Sequence, residues 1–235
     1  MNREQMLKEM GLGPIWTLRQ PPKKKRGAMA EPEAALPVDA RTAAIAAMGW
    51  DELKQAVADC TACELCKTRK QAVLGVGDIN ADWLFVGEGP GAEEDERGEP
   101  FVGQSGKLLD AMLAAIDLKR GHNVYIANSV KCRPPDNRAP EPSETAACWP
   151  FLARQVELLK PKLIVTLGRP AAQTLLQQEV KIAEARGKVQ DFAGIPLIIT
   201  YHPAYLLRNL PDKAKAWEDL CFMRRTMKER GSSPA

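Results

Sequence analysis

The chain has 235 residues, 45% of them hydrophobic, so it is long and apolar enough to fill the core of one domain with a tail. The net charge of +3 is unevenly placed: residues 1–30 carry seven lysines and arginines and two glutamates, which leaves 26 basic and 28 acidic side chains and a net charge of −2 for residues 31–235. The main part of the chain therefore cannot attract an anionic ligand by its overall charge, and local patches or helix N-termini must do so.

The N-terminal residues form neither a signal peptide nor an apolar run that could span a membrane. We expect a chain of bacterial type that is cytoplasmic, not secreted and without membrane contact, and whose six cysteines are reduced. Residues 1–40 are predicted to be a disordered extension and linker, since the basic run Pro21–Arg26 precedes a stretch rich in Ala, Pro and Glu. The basic run is expected to be solvated, and the alternative is an arm that binds DNA or a protein partner.

From residue 41 to about residue 230 the pattern predicts a single α/β domain, and residues 231–235 are predicted to be a C-terminal tail. Short apolar runs predict four strands near residues 83–86, 123–127, 163–167 and 196–200. Helical spacing and capping predict helices over residues 42–59, 105–116, 143–159, 170–178 and 213–230. Strands that alternate with helices in this way predict a four-stranded parallel sheet covered on both faces.

Polar residues follow each predicted strand where it ends. Glu88 follows the first strand, Asn128 the second, Gly168 and Arg169 the third, and His202 the fourth. Open α/β sheets bind ligands at the carboxyl ends of their parallel strands, so these side chains are expected to meet at one site.

Four cysteines are split by a long gap: Cys60 and Cys63 share a Cys-x2-Cys turn, and Cys132 and Cys148 lie far along the chain. Two thiolates on one turn and two more brought in by the fold can hold an iron–sulfur cluster or a structural zinc ion. Buried free cysteines are the remaining alternative, because a single Cys-x2-Cys is common.

The glycine-rich segment Gly87–Gly91 matches neither a phosphate-binding loop nor a dinucleotide fingerprint. It is better interpreted as a tight loop whose backbone N–H groups approach a ligand, although a plain turn would have the same composition. Taken singly, Phe101 is typical of a core aromatic, Asn128 of a turn residue and His202 of a structural histidine.

Taken together, the motifs resemble the iron–sulfur uracil-DNA glycosylases, family 4 of that superfamily. The resemblance runs in order from about Cys60 to Arg225 and rests on four segments: Gly87–Gly91 with Glu94 and Asp95, Pro100–Gly103, Asn128–Pro135, and His202–Asn209. It implies a three-layer α/β/α sandwich, excision of uracil from DNA as the start of base excision repair, and a 4Fe-4S cluster. The cluster ligands would be Cys60, Cys63, Cys132 and Cys148, while Cys66 and Cys221 lie outside the ligand pattern.

The resemblance also implies a role for each residue of the site. The uracil-binding residues would be Gly89, Phe101, Asn128 and His202: Phe101 would stack on a base flipped out of the duplex, and Asn128 would read its edge. Glu88 and His202 would be the catalytic pair, with Glu88 serving the sugar and the water and His202 the departing base. The residues expected to contact DNA are Leu206 and Leu207 as wedges and Lys131 and Arg208 at phosphates.

The expected partner is uracil-containing DNA, single- or double-stranded, and the chain is expected to act as a monomer. A related branch traps DNA through a histidine in a Lys-Arg-Arg-Ile-His loop, but here the segment Cys132–Arg138 has no histidine, which implies turnover. The alternative function is a catalytically weak iron–sulfur module that binds nucleic acid or recruits a partner. The joint presence of Glu88, Asn128 and His202 favours the enzyme.

Overall fold

The computed structural model of the protein describes residues 40–231. The predicted N-terminal extension up to residue 39 and the tail from residue 232 lie outside the described residues. Within the described part, no helix is both long enough and apolar enough to cross a membrane.

The centre of the fold is a six-stranded sheet in the order β1-β3-β2-β4-β6-β5. The strands are β1 (Val76–Gly77), β2 (Trp83–Gly87), β3 (Val124–Asn128), β4 (Leu163–Leu167), β5 (Val189–Phe192) and β6 (Ile195–Thr200). The four predicted strands β2, β3, β4 and β6 pair in parallel, as expected, and β1 and β5 pair antiparallel at the two edges. The edge strands were missed because β1 has only two residues and β5 lacks a buried apolar run.

Nine helices in residues 40–231 surround the sheet: α1 (Ala40–Ala47), α2 (Trp50–Ala58), α3 (Ala92–Arg97), α4 (Gln104–Ala114), α5 (Pro142–Leu159), α6 (Arg169–Leu176), α7 (Ile182–Ala185), α8 (Pro203–Arg208) and α9 (Lys213–Gly231). Short 3-10 turns lie at Glu64–Lys67, Pro135–Asn137 and Leu210–Asp212. The helix predicted over residues 42–59 is two helices, because Gly49 begins a new one: its N–H donates to the carboxylate of Glu52, 2.9 Å away.

The core has two faces because side chains alternate along each strand. On one face Phe85, Ile126 and Val165 pack with Leu109 of α4 and Leu220 of α9. On the other, residues such as Leu84, Ala127 and Ile164 pack with α5 and α6. A third cluster joins α1 and α2 to α5 through Ile45, Leu53, Val57 and Phe151. The fold is the expected three-layer α/β/α sandwich, with the cysteine-bearing segment attached to its α5 side.

Candidate active site

A pocket of about 730 Å³ opens at the carboxyl ends of the parallel strands. It is lined by Glu88 after β2, Asn128 at the end of β3, Gly168 after β4 and His202 after β6. The residues expected from the sequence to meet at this edge of the sheet are therefore brought together. Gly89, Phe101 and Arg208 also line the pocket.

The ends of β2 and β3 are joined by close backbone contacts. Ser129 N and Val130 N donate to the carbonyl oxygens of Gly87 and Glu88 at 2.9 and 3.1 Å. A Cβ atom on Gly87 would lie 2.4 Å from Asn128 Oδ1 and 2.6 Å from Cζ of Phe101. Gly87 is therefore the residue that lets an amide and an aromatic ring approach the same strand end.

Asn128 is 2% exposed, and its Oδ1 atom has no hydrogen-bond partner in the described part of the chain. Buried polar atoms in folded proteins are nearly always satisfied, and each one left unpaired costs about 1–3 kcal/mol. An acceptor that lines a pocket and lacks a protein partner is suited to a ligand that brings its own N–H group.

Phe101 is held in a conformation that bulky residues rarely adopt. Its φ angle is +54°, and its side chain is buried in the pocket wall. Arg120 donates from Nη2 to the Phe101 carbonyl at 2.7 Å and from Nη1 to the Pro100 carbonyl at 2.8 Å. On the other side, Glu94 Oε1 accepts from the backbone N–H groups of Val102 and Gly103 at 2.9 and 3.1 Å. These bonds, all to backbone groups, offset the local backbone strain and hold the segment that carries the ring.

Space for the Phe101 backbone comes from helix α4, where a Cβ on Gly106 would lie 1.8 Å from the Phe101 carbonyl oxygen. Neither this requirement nor the roles of Gly87, Glu94 and Arg120 were found from the sequence. Glu94 had a local signal, since it lies three residues after the helix N-cap Gly91, whose N–H donates to Glu94 Oε2 at 3.0 Å. Arg120 had no such local signal, because the carbonyl groups that it contacts lie 20 and 19 residues earlier in the chain.

His202 lies opposite Phe101, with 5.5 Å between the ring centroids. Burial lowers the pKa of His202 to about 4, helped by the positive charge of Arg208, so the imidazole is neutral at physiological pH. Its Nδ1 accepts a hydrogen bond from the backbone N–H of Ala204 at 3.1 Å, so the proton of the neutral ring is on Nε2. His202 is thus a hydrogen-bond donor without a net charge.

Glu88 is half-buried at the pocket wall. Burial raises the pKa of its carboxyl above the ordinary value, and the positive charge of Arg169 partly offsets this. A carboxylate with a raised pKa is a better proton acceptor than a solvated one and carries a negative charge beside the pocket.

Two of the predicted DNA contacts are wrong. Lys131 is 1% exposed, with its ammonium bonded to the carbonyl of Asn128 and the side chain of Gln155, so it cannot reach a phosphate. Leu206 is 1% exposed and packs in the core, so it cannot enter a base stack. Leu207, by contrast, is 40% exposed and lines, together with Arg208, a shallower groove that adjoins the pocket.

The four predicted cysteine ligands line one small cavity between α2, α5 and the loop after β3, and Cys66 lines it as well. Burial raises the pKa of Cys148 to about 12, and it also raises the pKa of Cys63 and Cys132. Left to themselves, these thiols would remain protonated, and binding of a metal would displace the protons.

Cationic groups surround these sulfurs. Arg69 Nη1 donates to Cys132 Sγ at 2.8 Å, and Arg41 Nη2 lies 3.7 Å from Cys60 Sγ. No group of three or more His, Cys, Asp or Glu in residues 40–231 has the geometry required by a single metal ion. The structure thus shows a cysteine-rich cavity with cationic side chains beside its sulfur atoms.

The fold and the pocket together define an α/β/α protein with a carboxylate, an amide, an imidazole and an aromatic ring lining one pocket at the carboxyl ends of its parallel strands. A family model described as the uracil DNA glycosylase superfamily matches residues 74–221. The type-4 uracil-DNA glycosylase of Thermotoga maritima is 46% identical over 159 residues, 67% of this chain and 82% of that protein. The type-4 enzyme of Archaeoglobus fulgidus is 44% identical, over 67% of this chain and 82% of that protein. The type-4 enzyme of Pyrobaculum aerophilum is 41% identical, over 74% of this chain and 93% of that protein. The chain belongs to the uracil DNA glycosylase superfamily and, within it, to the type-4 family.

Proposed function

We propose that this chain removes uracil from DNA by hydrolysis of the N-glycosidic bond, which leaves an abasic site and starts base excision repair. The observation that carries the proposal is the unpaired, buried Oδ1 atom of Asn128, which lines a pocket next to the ring of Phe101. Uracil flipped out of the stack would supply the missing N–H group and a flat face for the aromatic ring.

The Asn128 amide distinguishes uracil from cytosine. Its Oδ1 accepts from N3–H of uracil, and its Nδ2 donates to O4. Cytosine has an unprotonated N3 and an amino group at C4. Two acceptors, N3 and Oδ1, would then face each other, and so would two donors, the C4 amino group and Nδ2. Discrimination of this kind is strong in a buried site, because the unmatched groups have no water to bind.

His202 stabilises the departing base. As the bond between C1′ and N1 breaks, its electron pair moves to the base and negative charge develops at O2. The Nε2–H of a neutral His202 donates to this oxygen, with backbone N–H groups of the loop at Gly89 as further donors. The low pKa of His202 supports hydrogen-bond donation rather than full proton transfer.

Glu88 acts on the sugar. Its carboxylate stabilises the positive charge that develops at C1′, orients the attacking water and accepts the proton that the water loses. The hydroxyl group joins C1′, and the proton passes finally to the uracil anion. Glu88 and His202 follow different strands, β2 and β6, which supports action on opposite sides of the breaking bond.

We further propose that Cys60, Cys63, Cys132 and Cys148 hold a 4Fe-4S cluster. The cluster would supply four strong metal–sulfur bonds that tie the segment after α2 to the loop after β3 and to α5. Reduced thiols are required for this, which supports a cytoplasmic location. The cationic groups of Arg41 and Arg69 at the sulfurs support a site that is anionic when filled.

DNA would lie across the groove that adjoins the pocket, with Leu207 as the wedge that fills the vacated stack and Arg208 at a phosphate. The residues proposed to bind and cleave, Glu88, Asn128 and His202, all line one pocket of a single chain, and we propose that the chain acts as a monomer. The basic side chains of residues 23–26 support a further role for the N-terminal arm in contact with DNA or with a protein partner.

The proposal is tested by incubating the iron-loaded protein with single- and double-stranded oligonucleotides that contain one uracil, followed by alkaline cleavage of abasic sites. Matched oligonucleotides with thymine or cytosine at that position are the controls. We expect strand cleavage with uracil alone. Iron-loaded protein that binds these oligonucleotides but cleaves none of them would instead support the non-catalytic alternative.

A further inference from the structure

Lys131 is a fully buried lysine without a charged partner. Its Nζ atom donates to the backbone carbonyl of Asn128 at 2.8 Å and to the side-chain oxygen of Gln155. Both acceptors are neutral, and no carboxylate in the part of the chain that the structure describes forms an ion pair with Lys131. A buried ammonium group is costly unless an anion compensates it, so a negative charge near this side chain would stabilise its charged form.

Lys131 also lines the cysteine cavity, where deprotonated cysteine ligands would provide such a charge. The backbone N–H of Lys131 donates to Cys148 Sγ at 3.2 Å, and the next residue is Cys132. Four thiolates around an iron–sulfur cluster carry a net negative charge. Of the cationic side chains at this cavity, Lys131 is the one wholly shielded from water, so its interaction with the cluster is the least screened.

The ammonium group of Lys131 contacts the backbone of a residue that lines the active-site pocket. Its ammonium holds the carbonyl of Asn128, whose side chain reads the base in the function proposed above. Gln155 fixes the ammonium in turn, because its Nε2 donates to the Leu74 carbonyl at 3.0 Å and to the Tyr125 hydroxyl at 3.2 Å. One residue thus contacts a proposed cluster ligand through its backbone N–H and the residue that recognises uracil through its ammonium.

We propose that Lys131 is the buried counter-ion of the cluster and a positioning residue for Asn128, so that it couples the cysteine cavity to base recognition. This inference rests on the cluster proposed above. Reduction makes a cluster more negative, and a nearby positive charge stabilises the reduced form. Removal of that charge should therefore lower the reduction potential.

The test compares Lys131→Met, Lys131→Arg and the control Lys67→Met in the cluster-loaded protein. Lys67 lies beside Cys66 but is 67% exposed and paired with Glu64, so its substitution makes the same change of charge in water. For each protein, iron per chain, the reduction potential and the single-turnover rate of uracil excision are measured. The iron content of the unchanged chain tests whether the cluster exists. A chain that contains zinc in place of iron would refute the cluster, whereas the proposed glycosylase activity is tested by the excision rate of that same protein.

We expect Lys131→Met to have a lower reduction potential and at least tenfold slower uracil excision than the unchanged chain. Lys131→Arg should be closer to the unchanged chain in both the potential and the rate. Lys67→Met should equal the unchanged chain in both. If Lys131→Met cannot be loaded, retention of iron by Lys131→Arg supports the charge requirement, and loss of iron by both variants overturns it. A loaded Lys131→Met with an unchanged potential overturns the counter-ion role, and one with unchanged excision overturns the coupling to Asn128.

Discussion

The amide of Asn128 is the most direct point at which to test how uracil is recognised. Asn128→Ala removes both the unpaired Oδ1 acceptor and the Nδ2 donor from a site that is 2% exposed. Asn128→Asp keeps the shape but cannot donate to O4 of uracil unless its carboxyl is protonated. Asn128→Ala therefore tests the loss of both hydrogen bonds, and Asn128→Asp tests the replacement of the donor to O4 by an acceptor.

The size of the effect follows from burial. Each of the two hydrogen bonds to the base is expected to contribute about 1–2 kcal/mol in a buried site. Two such bonds give about 2–4 kcal/mol for Asn128→Ala, or a loss of roughly 30- to 900-fold in kcat/KM. Asn128→Asp should lose at least as much, because a carboxylate would face the partial negative charge of O4.

The assay is single-turnover excision from a uracil-containing single-stranded oligonucleotide, with iron content measured to show that the fold is intact. Thr166→Val is the control, because Thr166 Oγ1 is the other buried side-chain atom without a partner among residues 40–231 and does not line the pocket. We expect Thr166→Val to keep the full rate. Full retention of uracil excision by Asn128→Asp would refute the reading of uracil by this amide.

The remaining predictions concern the catalytic pair and the cysteines. 5-Fluorouracil forms a more stable anion, so it should rescue His202→Ala more than Glu88→Ala in single-turnover assays, and equal rescue would contradict the division of roles. The mechanism requires charged Glu88, and the pKa of Glu88 is raised above the ordinary glutamate value of about 4.3. As the pH is lowered, the excision rate should therefore begin to fall while the pH is still above that value. His202 becomes protonated only near pH 4, so this first loss of rate reports on Glu88. A pH profile in which Glu88→Gln keeps this acidic limb would argue against the assignment. Cys132→Ala should lose iron and thermal stability together, as measured by absorbance near ~400 nm and by the melting temperature, whereas Cys66→Ala should retain both.

The sequence by itself determined the four parallel strands of the sheet and the edge at which the site lies. Apolar runs that end in glycine or a polar residue specify buried parallel strands, and the residues after them must gather at the carboxyl edge. Glu88, Asn128 and His202 could therefore be placed at one site without any knowledge of packing. These are local patterns, and a regular parallel sheet turns them into a common location.

Tertiary structure alone decided which neighbouring side chains face inward. Leu206 and Leu207 are adjacent on a helix of six residues and differ by about 100° in direction, so only the packing of α8 shows that the first is buried and the second exposed. Lys131 lies between a valine and a cysteine in a basic segment typical of a DNA contact. The carbonyl of Asn128, the side chain of Gln155 and the cysteine cavity enclose it, and these come from distant parts of the chain that only the folded structure brings together.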